Sequence, residues 1–231
     1  MKNLIKILGP VMLMLGWIQL TAQDCEPYFL DIQGAEIEMS SYDKKDKLTG
    51  VTTSTVKEIK TTGNTAEWTV NVVSRDDKGK EFTSGDLRMT CEDGIFKMDM
   101  RNFLDDEVLK GFEGMEVTMD ATDLEYPNVL VPGQTLPDGS ITVKIGNQGV
   151  SMMNMVVKIY DRKVEAIEDI TTPAGTFSCY KMTQTVETKT MFKIVVTSTD
   201  WIAKKIGTVR SESYDKNGKL TSYTVMTGLK K

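Results

Sequence analysis

Alternation with a period of two runs through most of the chain. Ala66, Trp68, Val70 and Val72 fall on one face of Thr65–Ser74, with Glu67, Thr69 and Asn71 on the other, the signature of a half-buried strand. Leu87, Met89 and Cys91 alternate with Arg88, Thr90 and Glu92, and Phe96, Met98 and Met100 alternate with Lys97, Asp99 and Arg101. Ala35–Tyr42 and Leu48–Lys60, rich in β-branched residues, predict a hairpin about Asp43–Lys47. Turns are predicted at Arg75–Lys80, where Gly79 can take a positive φ, and at Glu92–Gly94. Strands resume at Met115–Asp120, Ile141–Gly146 and Met153–Ile159. Asp161-Arg162 reads as a break before the next strand, Val164–Ile170.

The stretch 164–226 organises the rest. The strand Val164–Ile170 meets a tight turn at Thr172–Thr176, strands follow at Phe177–Val186 and Phe192–Thr199, and a hairpin closes it between Gly207 and Val225. Leu124–Gly139, marked by Pro127, Pro132 and Pro137, reads as a polar connection. One segment departs from the period of two. Asn102–Gly111 sets Leu104, Val108 and Phe112 at helical spacing, with Asn102 as cap and Asp105, Asp106 and Glu107 near the positive end of the dipole. The pattern therefore predicts a mainly β fold: an antiparallel meander forming a curved sheet or half-barrel, with one short helix, in a single domain spanning 24–231. Ser41–Thr53 aligns without gaps on Ser213–Val225, eight of thirteen positions being identical. Duplication and convergence on one good turn both explain the echo.

Residues 1–23 change the picture of where this fold resides. Lys2 and Lys6 precede an apolar run, Ile7–Leu20, interrupted by Gly9-Pro10 and Gly16 and followed by Thr21-Ala22-Gln23. This is the layout of a cleaved secretory signal peptide, and the run is short for a spanning helix. Asp24 stands where the residue before a lipoprotein cysteine is ordinarily small, which argues against lipid attachment at Cys25. The expected location is the periplasm, the cell surface or the medium, with no transmembrane segment after cleavage. The signal takes two lysines and no acid, leaving 26 basic against 33 acidic residues, a net charge of −7. That balance argues against nucleic acid and anionic membrane surfaces as partners, since both call for a basic patch.

Cys25, Cys91 and Cys179 permit one disulfide in an oxidising compartment. Cys179 lies within the strand Thr176–Met182, where a buried inert thiol is expected. Cys25–Cys91 is therefore the expected pair, the other pairings staying open. The chain has no histidine. Ser-His-Asp and Cys-His nucleophile systems and His-rich metal sites are thereby excluded in their usual forms.

Several segments resemble the TapB-like family, a group of exported bacterial β-proteins of unknown function. They are "DCEPYF" at 24–29, "CEDGIFKMDM" at 91–100, "LEYPNVLVPGQTLPDG" at 124–139, "TPAGTFSCYKM" at 172–182 and "GTVRSESYDKNGKLTSYTVMTGL" at 207–229. Together they span most of the chain after the signal. They are turns and strands, so the resemblance implies a β-rich, lipoprotein-carrier-like architecture and brings no catalytic residues with it.

The remaining candidate chemistries are weak. Twelve methionines follow the signal, with Met89, Met98 and Met100 in one cluster and Met152, Met153 and Met155 in another. Thioethers suit Cu(I), but without His or a Cys pair nearby they fit core filling, or an adaptable pocket for an acyl chain. The acid pairs Asp105/Asp106, Glu113/Glu116 and Asp123/Glu125 would need to face one another across a cleft to serve a glycosidase. No phosphate loop or calcium loop is present, and no cofactor or metal is expected. Trp68 and Trp201 are expected to pack rather than to recognise a ligand. The reading is a non-enzymatic, exported envelope protein. It is expected to be a binding module holding an apolar ligand, a lipid or acyl chain, in a curved sheet, with ligand-binding residues unassigned. The alternative is an envelope protein–protein interaction module acting through hairpin tips and strand edges.

Overall fold

Short turns and alternation give thirteen strands among the described residues. They are β1 (Glu36–Asp43), β2 (Leu48–Thr62), β3 (Thr65–Asp76), β4 (Glu81–Glu92), β5 (Ile95–Met98), β6 (Glu116–Thr122), β7 (Leu124–Pro127), β8 (Gly139–Asn147), β9 (Val150–Thr172), β10 (Gly175–Lys189), β11 (Lys193–Ala203), β12 (Gly207–Tyr214) and β13 (Leu220–Lys230). The computed structural model describes residues 25–103, 114–147 and 150–231. The segment 1–23, expected to be a signal peptide, lies outside the described residues, as does most of the helix expected over Asn102–Gly111. A 3-10 turn, Met100–Phe103, leads into that segment.

All strands join one antiparallel sheet in the order β6-β8-β9-β10-β11-β12-β13-β1-β2-β3-β4-β5-β7. Its two edge strands are neighbours in sequence, separated by Asp123 alone. Thirteen strands laid flat at about 4.8 Å spacing would set those edges roughly 58 Å apart. Two Cα–Cα steps span at most about 7.6 Å. The sheet must therefore curl until its edges meet, giving a nearly closed barrel with one seam. The stretch 116–127 serves both rims of that seam, β6 pairing with β8 and β7 with β5. Gly139 lets β8 lie close to Leu124 there: a Cβ would sit 2.6 Å from the Leu124 Cδ2.

Two expectations change. Asp161-Arg162 does not end a strand. β9 runs through it from 150 to 172, Asp161 taking a φ of 53° in a local irregularity where the β10 register shifts. The start of the Leu124–Gly139 connection is itself strand, because β7 pairs with β5 from Leu124 to Pro127.

The antiparallel meander puts alternate turns at opposite ends. At the tip end, Asp43, Asp76 and Asp215 each accept from the backbone N–H two and four residues on, at 2.7–3.0 Å. Asp46, Gly79 and Gly218 take the matching positive φ. Three hairpins thus share one turn, built by a carboxylate acceptor followed by a left-handed residue. The echoing hairpins β1–β2 and β12–β13 lie side by side, because β1 pairs with β13.

The opposite end is plugged. Tyr28 and Leu30 are buried with Leu130 and Leu136 from the β7–β8 connection. The Tyr28 ring meets Phe96, Tyr126 and Tyr180 at 5.8–6.5 Å, and its hydroxyl donates to the Pro127 and Asn128 carbonyls. Burial, with Tyr180 and Glu26 adding, raises the Tyr28 pKa. Cys25 and Cys91 are joined by a disulfide, 5.9 Å between Cα atoms, tying this lead-in to β4. Cys179 is a buried free thiol, pushed up to about 11 by burial with Asp169 and Glu168 adding. Met89, Met100, Met182 and Met226 are fully buried, so much of the methionine content fills the core. No helix among the described residues is long and apolar enough to cross a membrane.

Candidate functional site: the concave face

Cross-strand partners share a face, so the register says which residues look inward. Met182 is buried and opposes Asp200, which opposes Ser211, which opposes Thr224. The row continues through Ser41, opposite Thr224 and Gly50. One step toward the tips, Gln184, Ser198, Ser213 and Ser222 form a second row. Thr52, Ser74 and Thr83 extend this wall across β2, β3 and β4. Ser41 bonds Thr224 at 3.0 Å and Thr52 bonds Ser74 at 3.0 Å. β11–β13 and β1–β4 therefore present a wall of hydroxyls, most of them half-buried.

The facing wall is apolar. Val186 opposes Val196 on one side and Ile159 on the other. Ile141, Val143 and Ile145 on β8 oppose Val157, Met155 and Met153 on β9, and Ala121, Met119 and Val117 on β6. Val186, Val196, Met153 and Met155 are half-buried, whereas the β8 residues are fully buried. The apolar wall reaches the tip end at the β10–β11 turn, where Met191 is 91% exposed and Phe192 78%. Of the second methionine cluster, Met153 and Met155 join this wall and Met152 is exposed.

Between the two walls lies a charged row that the sequence reading did not single out. Arg162, on β9 beside the Asp161 irregularity, is completely buried. Its Nη1 donates to the Pro137 and Glu125 carbonyls, and its guanidinium stacks on the Tyr126 ring, 4.6 Å from the centroid. Nε and Nη2 have no partner, and neither does Gln184 Oε1. Asp200 accepts from Gln184 at 2.9 Å, Ser198 at 2.8 Å and Ser211 at 2.6 Å. Burial raises its carboxyl pKa, outweighing those three donors and the Arg162 charge. Gly133–Leu136 straps the outer edge of β9 by backbone bonds to Val164 and Arg162, so this loop holds the Arg162 backbone in place. A signal for the row was present. Gln184 lies between Met182 and Val186 at inward spacing, a polar residue on an otherwise apolar stripe.

A depression lies on β2–β5, a cleft of about 580 Å³. Its lining includes four acids, Glu58, Glu67, Asp99 and Asp123, and four bases, Lys60, Arg88, Lys97 and Arg101. Lys60 pairs with Glu58 at 2.9 Å and Arg101 with Asp99 at 2.7 Å, so much of the charge is neutralised within the cleft. Burial pushes the Asp99 pKa up, but the Arg101 side chain and backbone together bring it below its ordinary value. A proton-donating carboxyl needs the opposite shift. Of the acid pairs named from sequence, Asp105, Asp106 and Glu113 lie outside the described residues, and Glu116 is exposed on β6. Asp123 lines this cleft, while Glu125 lies on β7.

Trp68 is in the core at 2% exposure. Trp201 is buried at 7% beneath Lys181 and Arg210, whose cations lie 5.3 and 5.9 Å from its ring, and its Nε1 donates to Glu168.

A family model described as DUF3108-like matches residues 32–226. Two solved structures share the fold. One, from Bacteroides fragilis NCTC 9343, is described as an exported protein with a YmcC-like fold; it is 27% identical, with a TM-score of 0.72 over 90% of this chain and 100% of its own. The other, from Parabacteroides distasonis ATCC 8503, is described as a lipoprotein; it is 28% identical, with a TM-score of 0.74 over the same shares. No curated protein matches the chain.

Proposed function

This chain belongs to the DUF3108-like family, and on that premise we propose that it is an exported, non-catalytic binding module for an amphipathic ligand, an acyl chain carrying a polar head. The observation that carries the reading is the two-toned concave face. Val186, Val196, Met153 and Met155 line one wall, and Ser41, Thr52, Ser198, Ser211 and Ser213 the other. A wholly apolar ligand would leave the hydroxyl wall facing hydrocarbon, and a wholly polar one would waste the apolar wall. An envelope location, in the periplasm or on the surface, is supported by the sequence of 1–23 and by the descriptions of the two similar structures. Within the family, the segments at 91–100, 124–139 and 207–229 support a TapB-like placement. Native mass spectrometry of protein purified from its own envelope tests the reading. A co-purifying lipid mass is expected, and it should be lost in a Val186→Asp/Val196→Asp double variant. Ligand-free protein that also takes up no added acyl compound would end this reading.

One observation favours a second reading. Met191 and Phe192 stand exposed at the β10–β11 tip beside Ile194, 62% exposed, an unusual concentration of apolar surface on a hairpin. Such a tip suits an envelope protein partner. A photo-crosslinking residue at Phe192 should then capture one discrete partner in the native envelope; adducts no stronger than at a control site on β4 would dispose of it.

A further inference from the structure

We propose that the Arg162 row is the seat for the head of that ligand, and that the head is a carboxylate: the ligand is a long-chain carboxylic acid bound as its anion along the Nε–Nη2 edge of Arg162. The proposal rests on the acyl-binding reading and specifies its chemistry. Arg162 is 0% exposed, and Arg cannot shed its proton, so an intact positive charge is held inside the fold. Buried charges are ordinarily paired and hydrogen-bonded. Here one nitrogen, Nη1, serves the Pro137 and Glu125 carbonyls, and Tyr126 covers one face. The two nitrogens without a partner, Nε and Nη2, are the pair that share one edge of the planar fork. Two parallel N–H donors on one edge match the two oxygens of a carboxylate.

Asp200 does not supply those oxygens. Its Oδ2 takes Gln184 and Ser198 and its Oδ1 takes Ser211, which turns it toward the hydroxyl wall. The row also lies where the two walls meet. Val186 is two residues along β10 from Gln184, and Val196 two residues along β11 from Ser198. A chain anchored by its head at Arg162 therefore runs along the apolar wall toward the exposed Phe192 tip. Gln184 Oε1, which needs a donor, is left for a water beside the head.

The test is displacement of a neutral fluorescent probe, N-phenyl-1-naphthylamine, from the mature protein by myristate and by methyl myristate. Myristate should act at a concentration at least about tenfold lower, the span of a charge-assisted hydrogen-bonded pair. Arg162→Gln should erase that difference while the ester still competes. Arg162→Lys, which keeps the charge but loses the fork, should retain only part of it. Should Arg162→Gln fail to fold, the wild-type comparison and the lysine variant decide. Equal potency of acid and ester on the wild type overturns the carboxylate seat and leaves acyl binding standing. Failure of both compounds to displace the probe overturns the acyl-binding reading and the seat with it.

Discussion

Asp200 shows how one residue's surroundings set its charge. A half-buried carboxyl loses hydration that three hydrogen bonds do not fully replace, so its pKa lies above 3.8. An acid with a raised native pKa binds its proton more tightly folded than unfolded. Its contribution to stability is present below 3.8 and is lost as pH climbs through the native value. Asp200→Asn should therefore gain on the wild type across that window, read by denaturant unfolding at a series of pH values. Arg162 pulls the same carboxyl downward. Removing its charge with Arg162→Gln should push the Asp200 titration higher still, followed by carboxyl carbon NMR. A titration unmoved by that substitution would mean the two groups do not sense one another. In sequence, Asp161-Arg162 looked like a polar break, because Arg162 reaches the inner face only through the positive φ of Asp161, which shifts the alternation. Asp200 lies in no motif or acid pair, so nothing in the sequence marks it.

Among elements, the strands were legible wherever two faces differ in polarity. Thr65–Ser74 reads cleanly because Trp68 and Val70 are buried while Glu67 is exposed. The sequence pattern divides β9 in two because periodicity cannot see through an irregularity. β7 was missed because four residues carry too little pattern. The Ser41–Thr53 echo gains a physical account from the third turn, Asp76–Lys80. That turn repeats the hydrogen bonds of Asp43 and Asp215 without the flanking identities. Turn chemistry alone thus reproduces the shared bonds, although it does not account for the identical residues in the arms. At this scale Gly50 and Gly85 form a matched pair. Both lie on strands of the hydroxyl wall, but a Cβ at Gly50 would stand 2.7 Å from the Arg75 carbonyl oxygen, whereas one at Gly85 meets nothing within 4 Å. A backbone atom in a paired strand cannot move aside cheaply. Gly50→Ala should cost about 1–3 kcal/mol by overpacking, while Gly85→Ala should be close to neutral. Equal unfolding midpoints for the two variants would contradict the close approach of β2 and β3.

At the scale of the molecule, a sheet whose edges are joined through Asp123 still has two open ends, and they are treated differently. The tip end keeps its hydroxyls half-buried. The other is stopped by residues 25–30, which belong to no strand and have no sheet register to hold them. Sequence alternation could predict curvature but not this stopper, since Tyr28 and Leu30 sit in a stretch without period. Besides the packing of Tyr28 and Leu30, the ties on the stopper include Lys204 to Glu26, the Lys205 N–H to the Pro27 carbonyl at 2.8 Å, the Glu26 N–H to Asn128 Oδ1 at 3.1 Å, the Tyr28 hydroxyl to the Pro127 and Asn128 carbonyls, and the disulfide to Cys91. Only the disulfide is covalent, and it closes a loop of 66 residues. Chain-entropy reasoning assigns such a loop on the order of 4 kcal/mol, with removal of a native disulfide ordinarily costing about 2–5 kcal/mol. Cys25→Ser paired with Cys91→Ser should lower stability within that range. The loss should also be local before it is global, because the aromatic cluster around Tyr28 lies inside the plugged end alone. Hydrogen exchange in the double variant should quicken at 28–35 and at 95–98 while β10 and β11 near the tips keep their protection. Quickening spread evenly over all thirteen strands would mean that the bond stabilises the barrel as a whole and that the stopper stays seated without it.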